Sequence, residues 1–326
     1  MLHQRSFRPH PEEAIAIVLA IAIGVLEESE YDAMQNEMRS TARLKSIMQR
    51  RAAVPVPGAA NALFARVIED VGFEAVYVTG AGIANMHLGA PDIGLTTMSE
   101  VAETVARIAE SVSLPVIVDA DTGFGNPVNT VRTVRVLERA GAAGIQIEDQ
   151  VFPKKCGHFA GKEVVPLGDM VAKIHAAVDT RRDGDLQIIA RTDARAGQGI
   201  DHAIERANTF AEAGADVTFV EAPLTLAELE RIARDIPVPQ IANIVFGGKT
   251  PDPGRATLAE LGFSVVLYAN AALQAALKAS YDVLRALARD GSLTAVADRL
   301  ASFDERQRVV AKDVWDQLEA RYRADP

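Results

Sequence analysis

Two short apolar runs of the sequence end in acidic side chains that could hold a metal ion. The stretch DADTGFG places Asp119 and Asp121 two residues apart, hence on one side of an extended strand, and GIQIEDQ carries Glu148 and Asp149. Carboxylates brought together repel one another and raise one another's pKa unless a cation or positive side chains neutralise them. Oxygen ligands without a Cys or His cluster favour a hard ion, so the pattern predicts Mg²⁺, with Mn²⁺ as a substitute. The alternative is that the aspartates only cap the following helix.

The only cysteine among the 326 residues, Cys156, lies in KKCGH, shortly after these carboxylates. Lys154, Lys155 and His158 surround the thiol with positive charge, which lowers the pKa of a thiol and makes it a better acid, base or nucleophile. A lone cysteine is more often a small buried hydrophobe. The polar surroundings and the glycine instead indicate a loop, so the pattern predicts a functional thiol.

Two further motifs could bind an anionic substrate. Arg191, in ARTDA, could grip a substrate carboxylate with its guanidinium or pair with the neighbouring acids, and both roles are compatible. The stretch VTGAGIAN begins like a dinucleotide-binding fingerprint, but Asn85 stands where the third glycine would be. We therefore predict no dinucleotide; the backbone N–H groups of this stretch could instead bind a carboxylate or a developing oxyanion.

These residues must be positioned by eight short apolar runs that alternate with segments of helical period. The runs are 54–59, 75–80, 115–121, 144–150, 187–193, 217–222, 239–244 and 263–270. Buried strands that alternate with helices predict an α/β fold, a (β/α)8 TIM barrel, with a doubly wound open sheet as the alternative. In a barrel, the ends of all strands converge on one mouth, so the acids, Arg191 and the cysteine loop are expected to form one site.

Composition limits the partners and the compartment. The formal charge of −10 disfavours nucleic acid and anionic membrane surfaces. One cysteine cannot form an intrachain disulfide, which indicates the cytoplasm. The apolar run 14–26 is shorter than the roughly 20 residues of a membrane span and has acidic flanks, unlike a signal peptide, so it predicts a helix packed on a neighbouring surface. We predict a helical extension over 1–50, a catalytic barrel over 51–295 and a helical segment over 296–326.

Six motifs of the sequence resemble, in their order and intervals, those of the isocitrate lyase/phosphoenolpyruvate mutase superfamily over about 55–290. They are YVTGAG, DADTGFG, IEDQ, KKCGH, ARTDA and VEA. The resemblance implies a barrel whose eighth helix is exchanged between subunits, and a homotetramer built from two such dimers. It also implies Mg²⁺ and the cleavage or formation of C–C or P–C bonds in small 2-hydroxy or 2-oxo acids.

The resemblance assigns roles residue by residue. Asp119 would bind Mg²⁺ directly, with Asp121 and Glu148 holding it through water. Tyr77 corresponds to the tyrosine proposed as base in the lyases, and Cys156 to the acid on a gating loop, where Lys154 and His158 would steady the developing charge. The residues around the substrate's 2-oxo-acid end would be Thr79, Gly80, Ala81, Asp92, Arg191, Glu221 and Asn243.

The resemblance also limits the reactions that the protein is expected to catalyse. Its C–C lyases share the cysteine loop, whereas phosphoenolpyruvate mutase and the oxaloacetate decarboxylase branch lack that cysteine. Two stretches differ from the sequences typical of related lyases. ANIVFGGKTP differs from the corresponding stretch of isocitrate lyases, and TGAG at 79–82 differs from that of methylisocitrate lyases. We predict a Mg²⁺-dependent lyase of the 2,3-dimethylmalate or 2-methylisocitrate type that releases pyruvate and a carboxylate. The alternatives are a carboxyphosphonoenolpyruvate phosphonomutase-like enzyme, an oxaloacetate decarboxylase and a non-catalytic barrel.

Overall fold

Eight parallel strands close into a barrel in chain order. The computed structural model describes residues 38–157 and 161–323. Pairing of Val54 with Val265 through Pro57 with Tyr268 joins the last strand to the first. The predicted (β/α)8 barrel is confirmed, and the open sheet is excluded. The strands are β1 (Val54–Ala59), β2 (Val76–Val78), β3 (Val116–Asp119), β4 (Gly144–Glu148), β5 (Gln187–Thr192), β6 (Val217–Val220), β7 (Gln240–Asn243) and β8 (Val265–Tyr268).

Helices follow the strands and cover the outside of the barrel. Side chains fix several of their first turns: Thr97 and Asn126 each form a capping box with the residue three positions later. None of the described helices is both long and apolar enough to cross a membrane. The helices are α1 (Ser40–Arg50), α2 (Ala62–Asp70), α3 (Gly80–His87), α4 (Met98–Ser111), α5 (Pro127–Arg139), α6 (Leu167–Thr180), α7 (Arg195–Glu212), α8 (Leu226–Asp235), α9 (Arg255–Leu261), α10 (Ala271–Asp290), α11 (Phe303–Val309) and α12 (Lys312–Tyr322), with a 3₁₀ helix at Thr294–Arg299.

The core has an inner and an outer layer because side chains alternate along each strand. In β2, Val76 and Val78 point outward and join the layer between strands and helices. Tyr77, between them, points into the barrel and joins the inner layer with Ile117 and Ile189. The same alternation places polar side chains of the strand ends inside the mouth.

Helix α1 closes the opposite end of the barrel. Its buried Leu44 and Met48 pack into the inner layer. Hydrogen bonds also anchor it, since Thr41 Oγ1 donates to Asp183 at 2.7 Å and Lys45 Nζ donates to Asp185 at 2.9 Å. The apolar run 14–26 lies outside the described residues, and the predicted boundary at residue 50 stays a prediction.

Helix α10, which follows β8, leaves most of its surface uncovered. Ala286 is its only buried residue, while Leu277, Tyr281 and Leu284 are exposed. The chain then returns to the barrel, where Arg308 of α11 forms two hydrogen bonds of 2.6 and 2.8 Å with Asp70 of α2. The predicted boundary at residue 296 stays a prediction.

Candidate active site

A cavity opens at the carboxyl ends of the strands, where the sequence predicts the site. Nine of the predicted residues line it: Tyr77, Thr79, Ala81, Asp92, Asp119, Cys156, Arg191, Glu221 and Asn243. Gly80, Asp121, Glu148 and Lys154 contact that lining from behind. His158 lies outside the described residues. The structure therefore brings together every predicted site residue that it describes.

The backbone positions of Asp119 and Asp121 differ from the prediction that both lie on one strand. Strand β3 ends at Asp119, and Asp121 has a φ of 47°, so it lies in a turn and not on the strand. The Asp121 N–H donates to Asp119 Oδ1 at 3.2 Å. A Cβ at position 80 would lie 3.1 Å from Asp119 Oδ2 and 3.2 Å from Asp121 Oδ1. Glycine at the start of α3 thus leaves room for both carboxylates.

Lys154 neutralises part of this acidic cluster. Its Nζ lies 2.6 Å from Asp92 Oδ1 and 2.6 Å from Asp121 Oδ1, and the side chain is buried. Burial lowers the pKa of the lysine, but the surrounding carboxylates raise it well above its usual value. Burial also raises the pKa of Asp121 to about 7, although Lys154 acts to lower it. Lys154 therefore remains a cation.

Arg191 is the second cation of the cluster. Its Nε donates to Asp193 Oδ2 at 2.9 Å. Its terminal nitrogens lie 3.3 Å from Glu148 and 3.4 Å from Glu221. The guanidinium also stacks 5.3 Å from the centre of the Phe219 ring. Of its two predicted roles, pairing with the acids is present, and contact with a substrate carboxylate stays a prediction.

Two strand-end carboxylates, Asp149 and Asp193, are buried in ion pairs and do not line the cavity. Arg206 of α7 donates to Asp149 Oδ2 at 2.8 Å. Lys162 and Arg191 both donate to Asp193. The protein's own cations therefore neutralise part of the repulsion between the carboxylates. This repulsion is the reason for which the sequence predicts a metal.

Glu148 supplies the observation that fits a metal. Both its carboxylate oxygens are buried and accept no hydrogen bond, and burial raises its pKa well above the usual value. Within the described ranges, no three His, Cys, Asp or Glu side chains are grouped closely enough to hold a metal. Mg²⁺ keeps several water ligands and is often bound by only one or two carboxylates. Asp119 in the lining, with Asp121 and Glu148 behind it, fits such an ion.

Tyr77 is a neutral phenol in this structure. Its hydroxyl donates to Gln146 Oε1 at 3.0 Å. Burial, and then the nearby Asp119, raise its pKa well above the usual value, whereas Arg191 acts to lower it. The predicted role as base therefore requires additional positive charge beside the hydroxyl.

The cysteine loop is pressed against the cavity. The Cys156 N–H donates to the Asp92 carbonyl at 3.1 Å, and Gln150 exchanges two hydrogen bonds with the backbone of Lys155. A Cβ at Gly157 would lie only 2.6 Å from Arg191 Nη2. Glycine thus allows the loop to place the thiol in the lining.

Lys162 anchors this loop, a role that its sequence context does not indicate. Its buried Nζ donates to the Gly157 carbonyl and to Asp193 Oδ1. The one available signal is its position in the same segment, four residues after His158, which does not distinguish it from a surface lysine.

Replacing Lys162 with methionine should release the loop and expose Cys156. A hydrogen bond to a charged group contributes about 1.5–3 kcal/mol, so the open population should rise about 10- to 100-fold. Because Cys156 is the only thiol, the rate of its modification by a thiol reagent measures this directly. Lys155→Met is the control for the loss of a positive charge near the thiol without release of the loop, since its Nζ donates to the exposed Gly161 carbonyl. Equal modification rates in the wild type and Lys162→Met would contradict the anchoring role.

The sequence of this chain is similar to those of known proteins. Residues 44–288 match the model of the family described as phosphoenolpyruvate phosphomutase. The chain is 45% identical over 285 residues to 2,3-dimethylmalate lyase of Eubacterium barkeri, which covers 87% of this chain and 99% of that protein. It is 44% identical over 277 residues to 2-methylisocitrate lyase of Aeropyrum pernix, covering 85% and 89%.

Solved structures show the same fold. A trigonal crystal form of 2,3-dimethylmalate lyase, a member of the PEP mutase/isocitrate lyase superfamily, matches with a TM-score of 0.82 and 34% identity, over 87% of this chain and 95% of that one. Phosphonopyruvate hydrolase in complex with oxalate and Mg²⁺ matches with a TM-score of 0.79 and 32% identity, over 87% and 99%. The chain therefore belongs to the phosphoenolpyruvate phosphomutase family, within the PEP mutase/isocitrate lyase superfamily.

Proposed function

We propose that this protein is a Mg²⁺-dependent carbon–carbon lyase that cleaves a 2-hydroxy dicarboxylate or tricarboxylate to pyruvate and a second carboxylate. The observation that carries the proposal is that Asp119 and Cys156, from different strand ends, line one cavity. A carboxylate suited to a metal and a thiol suited to donate a proton thus face the same space. Two relatives whose names describe such lyases support it.

The substrate would bind by its 2-hydroxy-acid end. Arg191 presents a guanidinium to the cavity, and α3 begins there with first-turn N–H groups that have no partner within the helix. Thr79 caps this helix by accepting from the Gly82 N–H at 3.3 Å. Asp119 would hold Mg²⁺, or Mn²⁺ in its place, with Asp121 and Glu148 acting through water. When bound, the ion supplies positive charge that favours loss of the hydroxyl proton.

The chain's own residues would then move two protons. Tyr77, once ionised beside Arg191 and the cation, takes the proton of the substrate hydroxyl. The oxygen's electron pair forms the carbonyl of pyruvate, and the bond from the hydroxyl-bearing carbon to its neighbour breaks. The electron pair left on that neighbour is protonated by the Cys156 thiol, which gives the second carboxylate. The closed loop excludes bulk water until this step.

Turnover of candidate acids tests the proposal. Purified protein with Mg²⁺ is incubated separately with 2,3-dimethylmalate, 2-methylisocitrate, isocitrate and oxaloacetate while pyruvate and glyoxylate are measured. We expect pyruvate from at least one of the first two acids. Pyruvate from oxaloacetate alone would indicate a decarboxylase. No 2-oxo acid from any hydroxy acid would overturn the lyase proposal and favour a phosphonate-forming mutase.

Mg²⁺ should stabilise the protein through Asp119. At a concentration ten times its Kd, the ion should add about 1.4 kcal/mol and raise Tm by roughly 2–5 °C. In Asp119→Asn this shift should be lost. Asp169→Asn, on the exposed start of α6, is the control that should keep it. An unchanged shift in Asp119→Asn, measured by differential scanning fluorimetry, would contradict the assignment of Asp119 as ligand.

We further propose a homotetramer in which α10 is exchanged between subunits. The exposed Leu277, Tyr281, Leu284 and Leu287 of this helix support the proposal, because apolar side chains grouped on one helix are usually covered. Light scattering should give four times the mass of the chain, and Leu284→Glu should give a smaller species. A monomeric wild type would contradict the proposal.

Composition supports a proposal for the partners and the location of the protein. A formal charge of −10 disfavours nucleic acid and anionic membrane surfaces as partners. A single cysteine requires no oxidising compartment. We therefore propose the cytoplasm as its location.

A further inference from the structure

The cavity has two chemically different sides. The side built by β2 to β6 carries the carboxylates, Arg191 and the cysteine loop. The side built by β7 and β8 carries four residues to which no role has been assigned: Val245, Leu267, Ala269 and Asn270. We call these four residues the β7–β8 wall. Three of them are apolar, and Leu267 and Ala269 are buried.

Asn270 is the polar member of the β7–β8 wall, and its side-chain oxygen lacks a hydrogen-bond partner. It occupies the cap position of α10, yet its side chain makes no capping hydrogen bond. Its Oδ1 is buried and accepts no hydrogen bond. Leaving such a group unsatisfied costs about 1–3 kcal/mol, so a bound molecule is expected to contact the amide. Because an amide can rotate to present its NH₂ group, it can donate to a substrate carboxylate.

The positive charge of the cavity is limited. Among the described residues of its lining, Arg191 is the only cation, and it already lies within 3.4 Å of Asp193, Glu148 and Glu221. Lys154, behind the lining, is held between two carboxylates. Asn243 also lines the cavity, but its amide nitrogen already donates to Glu221 Oε2 at 3.4 Å. A first substrate carboxylate can therefore meet Arg191 and a second can meet the Asn270 amide, but a third would meet apolar side chains.

We propose that the β7–β8 wall selects a 2-hydroxy dicarboxylate with an alkyl group on the carbon next to the hydroxyl-bearing one, against a tricarboxylate. This inference rests on the proposed lyase function. In 2,3-dimethylmalate that carbon carries a carboxylate, which suits Asn270, and a methyl group, which suits Val245, Leu267 and Ala269. In 2-methylisocitrate a carboxymethyl group replaces this methyl group and would bring a charge against the apolar side chains, where an unpaired charge is costly.

The reaction on the selected substrate balances. The hydroxyl of 2,3-dimethylmalate loses its proton, and the bond between its second and third carbons breaks. The electron pair remains on the third carbon, which accepts one proton. The products are pyruvate and propionate. The β7–β8 wall would therefore hold the half of the substrate that becomes propionate.

The test compares kcat/KM for the two acids in the full-length protein with Mg²⁺. We expect the wild type to prefer 2,3-dimethylmalate by at least about 100-fold. Val245→Lys adds a cation next to the replaced methyl group and should shift the ratio toward 2-methylisocitrate at least tenfold. An equal rate or a preference for 2-methylisocitrate in the wild type would overturn the inference while leaving the lyase function intact. No 2-oxo acid from either would overturn both.

Asn270 is tested by a charge change that keeps the shape of the side chain. Asn270→Asp loses no capping hydrogen bond, because the Asn270 side chain makes none, and its Tm is measured beside kcat/KM to show that the variant folds. Its negative charge should nevertheless repel the substrate carboxylate and lower kcat/KM more than Asn270→Ala, for which we expect a loss of roughly 10-fold or more. Asn208→Asp, on α7, controls for an added charge elsewhere. Wild-type kcat/KM in Asn270→Asp would overturn the assignment of Asn270.

Discussion

Cys156→Ser is expected to lower kcat by about 10²- to 10⁴-fold with little change in KM. The serine hydroxyl is a far weaker acid than a thiol, so it cannot protonate the leaving carbanion efficiently. The substitution changes one atom in the cavity lining and leaves the anchors of the loop at Gln150 and Lys162 in place. Steady-state pyruvate release measures both kinetic constants.

Two controls separate the thiol's chemistry from damage to the loop. Glu163→Gln changes an exposed side chain of the same segment and should keep wild-type kcat. The Tm shift caused by Mg²⁺ should persist in Cys156→Ser, since the carboxylates are untouched. A wild-type kcat in Cys156→Ser would rule out the thiol as the acid, and a raised KM alone would assign it to binding.

Arg191→Gln is expected to lower the free energy of unfolding by about 3–5 kcal/mol, because it leaves buried carboxylates without their cation. Glu148 and Glu221 lose their contacts of 3.3 and 3.4 Å with the guanidinium, while Asp193 retains Lys162. We also expect kcat/KM to fall by at least about 100-fold, since one partner of the substrate carboxylate is lost. Denaturant unfolding and pyruvate release measure the two effects.

A second arginine pair provides the matched control for Arg191. Arg195 contacts Glu228 through two hydrogen bonds of 2.6 and 3.0 Å, but both side chains are partly exposed. Arg195→Gln should therefore cost only about 1 kcal/mol or less. Adding Glu148→Gln to Arg191→Gln should restore part of the lost stability by removing an unpaired charge. A double variant no more stable than Arg191→Gln would contradict this account of the charge balance.

The sequence was sufficient to predict the barrel and most of the candidate site. Most strands are short apolar runs, and in a closed parallel barrel the carboxyl ends of such runs meet at one mouth. Asp119 and Asn243 end their strands, Arg191 is the second-last residue of β5, and Glu221 directly follows β6. Their place at the mouth follows from this rule. Even so, the predicted strands are too long at their ends: Gly80 begins α3, and Asp121 lies in a turn.

Local pattern by itself thus determined which elements form, how they are ordered, and which side chains reach the mouth, because alternation and strand ends are properties of neighbouring residues. The tertiary structure decided which of these side chains face the cavity. Asp149 pairs with Arg206, 57 residues away, and Lys162 contacts Asp193 across 31 residues. Asn270 lies at the cavity with an unsatisfied side-chain oxygen because β8 ends there. Such contacts depend on distances that are set when the barrel closes, and the spacing of residues along the chain does not contain them.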